Sequence, residues 1–382
     1  MQTLWAKSGI TEDRMDLIYY YPSQNRGAPD SVAQNVFKYL YQSRSELRMD
    51  LKVFTSGHGI KKIQDEYKDI AIITLQTIGK ISRHSLIYIP KSPMISPNDR
   101  TILFIYAAIK KIPVISDYHG DFRIELKNSA EDRDFFHFIW NLPSAILAPF
   151  LLNQNFWIVV HSPFMAQLLK EKYSIQKNVK IIPNGIDSVD PIKEDTPIKN
   201  YPIQKIFFHG RLVRRKGLFI LISAFNDLVK ENNNIFLYIA GDGPIKEELI
   251  RRCEEYKITD NVIFLGRPIF SEIIDYLKSV DLSIYPSLYD NFPLAILEAL
   301  AFSNCPVCIS KKGGIYDFVQ NNDKLISFNP TVEDTHLIMK ALLFDFSDKS
   351  LIQRQKEFSQ QFVWKNVIKQ YICFFNELQM KF

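Results

Sequence analysis

Asp290 and Glu298 lie eight positions apart in the stretch Tyr285–Glu298, YPSLYDNFPLAILE. Between them the chain reads as a loop at Asn291, Phe292 and Pro293, followed by the first turns of a helix that starts near Leu294. Two carboxylates and the N–H groups of a helix N-terminus can then face one pocket. Carboxylates accept hydrogen bonds from hydroxyls, and a helix N-terminus attracts phosphate. Such a pocket suits a ligand that is anionic in one part and rich in hydroxyls in another, as a nucleotide-activated sugar is. The same residues also read as an ordinary buried strand-to-helix turn with a solvated Asp290.

A second loop carries cations. In FFHGRLVRRKG a strand, Ile206–His209, ends at Gly210, and Arg211 and Lys216 follow, with Gly217 before a helix. A strand-end glycine permits a tight turn, and Arg and Lys five positions apart can converge on one anion. The P-loop pattern Gly-x4-Gly-Lys-Ser/Thr is absent from this loop. Arg214 and Arg215 read as solvated, and a basic surface turn is the alternative reading of the loop. Further on, AGDGP places Gly241 and Gly243 after a strand, with Pro244 expected at the first helical position. It resembles half a dinucleotide fingerprint, but position 246 is Lys and the third glycine is missing.

The elements that must position these loops alternate. Expected strands are Leu17–Tyr21, Leu51–Phe54, Asp69–Ile73, Leu86–Ile89, Val114–Asp117, Trp157–Val160 and Val179–Ile182, with helical runs such as Ser31–Gln42 and Arg100–Lys110 among them. Asp187–Lys205, with three prolines, reads as a linker. The alternation then restarts: strands Ile206–His209, Phe236–Ala240, Val262–Leu265, Leu282–Tyr285 and Val307–Ser310, with helices Leu218–Glu231, Pro244–Tyr256, Ser271–Ser279 and Pro293–Ala301. Such βαβ alternation predicts an α/β chain with two doubly wound, mostly parallel sheets facing a central cleft, ligands binding at the carboxyl ends of strands. The expected domains are 1–195, 196–360 and a C-terminal helix, 361–382, packing back on the first.

Composition narrows the partners. The chain has 382 residues, 46% hydrophobic and 23% charged, which is ordinary globular composition. A net charge of +5, with no Lys/Arg-rich run, does not argue for nucleic acid. Cys305 and Cys308 have redox-motif spacing, but they follow a helix on an apolar run. They read as structural cysteines of a reducing compartment. No His/Asp cluster at metal spacing is apparent, so no metal and no cofactor is expected. The N-terminus lacks a signal-like apolar run, and Met1 or Met15 could be the start. From Phe135 to Leu169 there is no charged residue, but Asn and Pro interrupt the run. A buried helix is expected there; a second reading lays Phe135–Leu152 on a bilayer surface.

GRLVRRKG, AGDGP, NVIFLG, YPSLYDNFPLAILEA and the earlier IIPNGID (Ile181–Asp187) occur in this order. Together they resemble the signature series of retaining GT-B glycosyltransferases of the GT4 type, and the resemblance covers residues 15–380, more loosely in the N-terminal half. It implies two Rossmann-like domains and transfer of a sugar from a nucleoside diphosphate sugar to an acceptor hydroxyl with retention. The apolar Phe135–Leu152 segment and the positive charge point to a glycan, polysaccharide or lipid-linked acceptor, and the expected setting is cytoplasmic, with peripheral contact at the membrane's inner face as the second reading. Arg211 and Lys216 would bind the diphosphate beside Gly210. Asp290 would contact the donor sugar and Glu298 the ribose. Backbone N–H groups around Phe292–Leu294 would face the phosphates, and Gly266 would lie near the base. His119, in SDYHGD, would sit over the transferred sugar, and Gly27 near the phosphates. There are three departures: Asp290 replaces the usual Glu, Gly27-Ala28 replaces Gly-Gly, and Ser303 replaces a small Gly in EALAFSNCPV. A catalytically silent homologue acting as a partner subunit is the alternative. An NAD-dependent oxidoreductase fails because the first strand is not followed by Gly-x-Gly-x-x-Gly.

Overall fold

A computed structural model of the chain describes residues 14–23, 28–92, 98–132, 134–154, 156–175, 178–187, 204–319, 325–344, 346, 348 and 350–381. Gly27, the leading segment and most of the Asp187–Lys205 linker lie outside the described residues.

Thirteen strands are described. β1 (Asp16–Tyr20), β2 (Asp50–Phe54), β3 (Ala71–Ile73), β4 (Ser85–Ile89), β5 (Val114–Asp117), β6 (Trp157–Val160) and β7 (Val179–Ile181) form one sheet, in the order β3-β2-β1-β4-β5-β6-β7. β8 (Gln204–His209), β9 (Ile235–Ala240), β10 (Val262–Gly266), β11 (Leu282–Tyr285), β12 (Val307–Ser310) and β13 (Ile326–Phe328) form the other, in the order β10-β9-β8-β11-β12-β13. From β3 to β5, and throughout the second sheet, neighbouring strands run parallel. Leu17 is opposite Leu51 and Leu86; Ile206 is opposite Leu237 and Leu282. Strands covered on both faces need unbroken apolar runs, and β1, β4, β11 and β12 are buried throughout.

The expected strands all form, with ends shifted by a residue or two. β13 is an addition: at three residues it is too short to show a period. In the second sheet the chain runs outward from β8 through β9 and β10, then crosses back to β11 on the other side. The carboxyl ends of β8 and β11 therefore flank a topological switch point, where such sheets leave a crevice. The loops bearing Arg211–Lys216 and Asp290–Pro293 leave from those two ends.

Two compact units are distinguished. The first comprises Met1–Asp117, Phe150–Ile158 and Ile368–Phe382, the second Tyr118–Pro149 and Val159–Val367. In the first, Tyr371 and Phe375, on the last helix (Trp364–Gln379), pack against Tyr88 with ring centroids 5.9 and 5.1 Å apart. Tyr88 donates to the buried Asp117 carboxylate at 2.8 Å, and burial raises that carboxyl well above its ordinary value. In the second unit, Phe292, Phe318 and Phe362 form an aromatic cluster with centroids 5.3–5.6 Å apart.

Three expectations are corrected. The helix Phe135–Asn153 runs through Pro143 and Pro149 and is largely exposed, Phe135 and Phe136 among its outward side chains. Lack of charge does not decide burial, because a covering partner must exist as well. Among the described residues it is one helix long and apolar enough to cross a membrane, by length and composition only. The helix expected from Pro244 begins at Lys246, with Pro244 in the preceding turn. Arg214 and Arg215 are not solvated but bonded to specific carboxylates, as described below.

Cys305 and Cys308 are free and buried, and burial pushes the Cys305 thiol up to about 12. Inert, protonated thiols in an apolar layer fit the structural reading.

Candidate active site

His119 and the expected site residues from Gly210 to Glu298 all belong to the second unit. Lys216 is the last residue of a short 3-10 turn, Arg214–Lys216, closed by Gly217 at φ +71°. A Cβ at Gly217 would lie 1.9 Å from the Pro286 carbonyl oxygen. The loop after β8 can thus lie directly on the loop after β11, which sets Lys216 against Asp290. The Lys216 ammonium forms an ion pair with Asp290 Oδ2, and Arg215 Nη1 lies 3.3 Å from Asp290 Oδ1. One carboxylate thus bridges two cations in a buried setting. Burial pushes the Asp290 carboxyl upward, but Lys216 and Arg215 outweigh it and hold the group below its ordinary value. Burial pulls the Lys216 ammonium down, against the opposing pull of Asp290.

Arg211 is on the same loop but meets a different acid. Its Nη2 lies 3.7 Å from Asp134 Oδ2. Arg214 pairs with Glu248, donates from Nε to the Glu131 carbonyl at 2.9 Å, and from its backbone N–H to Asp132 at 3.0 Å. Arg215 also lies 3.9 Å from Glu125. The loop's four cations therefore meet specific acids, most of them on 125–134. The glycines of AGDGP serve close packing. Cβ atoms at Gly241 and Gly243 would lie 1.9 and 2.2 Å from the Gly210 and Leu212 carbonyl oxygens. Gly266 ends β10 with open space beside it.

After β11, Pro293 precedes the helix Leu294–Phe302 and offers no side-chain cap to its first N–H groups. Asn291 is a strut. Its Oδ1 accepts from Ser162 Oγ at 2.9 Å, and its Nδ2 donates to the His119 carbonyl at 2.9 Å. Asn184 Nδ2 donates to the Phe292 carbonyl at 3.1 Å. The segment Asn291–Leu294 is therefore held at the Asn291 side chain and at the Phe292 carbonyl before the helix opens.

Glu298 lies one turn into that helix, and its Oε2 is 3.0 Å from His209 Nε2. Tyr285 Oη is 2.7 Å from His209 Nδ1. Burial raises the Tyr285 phenol well above its ordinary value, so it stays a donor. The phenol then donates into Nδ1, leaving the Nε2–H to donate to Glu298.

The His119 ring is likewise set by a second histidine. His161 Nδ1 is 2.9 Å from the Ile182 carbonyl, and its Nε2 is 3.0 Å from His119 Nδ1. Burial lowers the His161 pKa to about 4, so the ring is neutral. A carbonyl only accepts, so His161 Nδ1 carries the proton and Nε2 accepts from His119 Nδ1–H. His119 Nε2 is then the unprotonated nitrogen of the neutral ring.

Sequence reasoning read Arg215 as solvated and did not single out His161, Ser162, Asn184, His209 or Tyr285. His209 stood in the quoted FFHGR, but only as a strand end; a histidine at the carboxyl end of a switch-point strand was the available signal. The arrangement offers buried cations, an open helix N-terminus, an oriented carboxylate and an oriented imidazole. This set can bind an anion beside a hydroxylated group.

Two family models match the chain: "Glycosyl transferases group 1" over residues 191–358 and "Glycosyltransferase Family 4" over residues 98–189. An uncharacterized glycosyltransferase of Methanocaldococcus jannaschii is 29% identical over 168 residues, 43% of each chain. The alpha-monoglucosyldiacylglycerol synthase of Streptococcus pneumoniae is 28% identical over 214 residues, 52% of this chain and 46% of that protein. The chain thus spans less than half the length of these two relatives. The structure of Anabaena Alr3699/HepE in complex with UDP-glucose superposes with a TM-score of 0.67 at 17% identity, over 96% of this chain and 100% of that one. That likeness bears on the fold, two Rossmann-like α/β domains of the GT-B type. With family models matched across both halves and that fold, the chain belongs to the GT4-type glycosyltransferases.

Proposed function

We propose that this protein transfers a sugar from a nucleoside diphosphate sugar to an acceptor hydroxyl, with retention of anomeric configuration. The observation that carries this is the buried Lys216–Asp290–Arg215 constellation at the β8/β11 switch point, beside an open helix N-terminus. In the reaction the bond from the anomeric carbon to the diphosphate oxygen breaks, and the pair of electrons leaves with the diphosphate. A bond forms from the acceptor oxygen to the same carbon, and the acceptor's proton passes to the departing phosphate. Lys216, Arg215 and the helix N-terminus would stabilise the leaving charge without a metal ion. Asp290 and His119 would hold the sugar, and Glu298 the ribose, through the orientation that His209 gives it.

The name and bound ligand of Anabaena HepE support a uridine donor carrying a hexose. The name of the pneumococcal relative supports a lipid-linked acceptor in glycolipid or glycan synthesis. Four free cysteines support a cytoplasmic setting.

The test is a thermal-shift panel of UDP-, GDP-, ADP- and dTDP-sugars on the wild type, Lys216→Ala and Glu298→Ala. A ligand at ~100 times its dissociation constant adds about 2.7 kcal/mol. A shift with UDP-sugars that both variants lose is expected. Absence of any shift in folded wild type would instead point to a silent homologue or a donor outside the panel. Retention is read separately, from the anomer first released when the donor is hydrolysed.

A further inference from the structure

The helix Asp99–Lys110 is apolar on two sides. Leu103 and Ala107 are buried in the core of the first unit, while Ile102, Ile105 and Ile109 are exposed. Their spacing, i, i+3 and i+7, sets the three on one outward stripe, and Ile109 is 73% exposed. Beside the stripe stands Phe150, 62% exposed. A cavity of about 280 Å³ opens here, lined by Phe104, Ile105, Ala108, Ile109, Phe150 and Leu151. This is room for several methylene groups, and the polar side chains in its wall are Arg100, Thr101 and Gln154.

Beyond Asp99 the charges on this helix have one sign. From Arg100 to Pro113 the sequence has no acidic residue, and Lys110 and Lys111, both exposed, directly follow Ile109. The Asp99 carboxylate is turned to Tyr20 Oη at 3.0 Å and Ser56 Oγ at 2.6 Å. The helix that ends in Phe150–Asn153 carries no charged side chain. A specific protein partner would need polar groups to read, and this face has few. Aliphatic side chains entering an acyl layer need none, and two flanking lysines match acidic headgroups.

We propose that this face docks onto an anionic lipid bilayer, Ile105, Ile109 and Phe150 entering the acyl boundary while Lys110 and Lys111 rest among the headgroups. The site differs from the sugar-transfer residues, and its test does not depend on that reaction.

The experiment is flotation of the full chain with phosphatidylcholine vesicles, with and without phosphatidylglycerol, for wild type, Ile105→Glu/Ile109→Glu and Lys110→Gln/Lys111→Gln. Circular dichroism melts check folding; the altered side chains are exposed, so unchanged melts are expected. The wild type should float with the anionic vesicles and far less with the neutral ones. The glutamate pair should abolish flotation, and the glutamine pair should weaken partition by about fivefold for each lysine. Folded wild type that fails to float overturns the proposal, as does a glutamate pair that floats like wild type. A dimer seen by light scattering, dissolved by the glutamate pair and with no flotation, would assign the face to a second copy and also overturn it.

Discussion

Glu298 is held by His209: the two side chains meet at 3.0 Å, and Tyr285 fixes the other side of the imidazole at 2.7 Å. In its proposed role as the ribose contact, this carboxylate gains from arriving already oriented, because less rotamer freedom is lost on binding. His209→Phe removes that orientation and leaves the Tyr285 phenol buried without this partner, which costs roughly 1–3 kcal/mol of stability. Donor affinity is expected to fall about tenfold by titration calorimetry. Adding Tyr285→Phe should recover much of the stability but none of the affinity. Unchanged donor affinity in His209→Phe would show that Glu298 needs no support.

The Lys216–Asp290 pair leads to a second expectation. Removing one partner of a buried ion pair typically costs about 3–5 kcal/mol, because the other charge is left uncompensated. Asp290→Asn leaves both Lys216 and Arg215 without their shared carboxylate. A diphosphate would supply the missing anion, so UDP-sugar should raise the melting temperature of Asp290→Asn more than that of wild type. Equal shifts would mean that the diphosphate does not reach these cations. In acid the sign is fixed by the lowered folded-state pKa of Asp290. The pair's contribution is present above the ordinary carboxylate pKa and is lost as pH falls through the folded value.

His161 gives a pH dependence of its own. Its folded-state pKa is about 4 against an ordinary value of 6.5. Between those values the unfolded chain binds more protons, so stability rises with pH there. The neutral ring's contribution is complete above 6.5 and is lost toward 4, and it amounts to roughly 3 kcal/mol. His161→Asn should flatten the fall in denaturation midpoint between about pH 6.5 and pH 4 relative to wild type. Parallel curves for the two proteins would remove His161 from the account.

Much of this could be read from the chain. Parallel strands covered on both faces must be continuous apolar runs, which is why β1, β4, β8 and β11 stood out. The loops after β8 and β11 stood out because a tight turn needs Gly and an anion would need Arg or Lys. What could not be read was which acid each cation meets. Arg215 finds Asp290 75 positions away, and only the parallel crossover brings the loops after β8 and β11 together. The histidine pair was hidden for the same reason: His119 and His161 follow different strands 42 positions apart. The exposure of Phe135–Asn153 had no local signature, since a charge-free helix reads the same whether covered or bare.

Gly217 and Gly266 separate conformational strain from close approach. Both have positive φ, +71° and +68°, so alanine at either costs about 1–2 kcal/mol for the left-handed backbone. At Gly266 a Cβ would meet nothing within 4 Å, whereas at Gly217 it would lie 1.9 Å from the Pro286 carbonyl oxygen. Backbone cannot rotate away as a flexible side chain can, so in Gly217→Ala the two loops must part. Gly266→Ala should therefore lose only the strain. Gly217→Ala should lose several-fold more stability by urea denaturation, and with it the seating of Lys216 against Asp290 and the donor-induced thermal shift. If the two variants lose equal stability, the loops after β8 and β11 do not press together at Gly217.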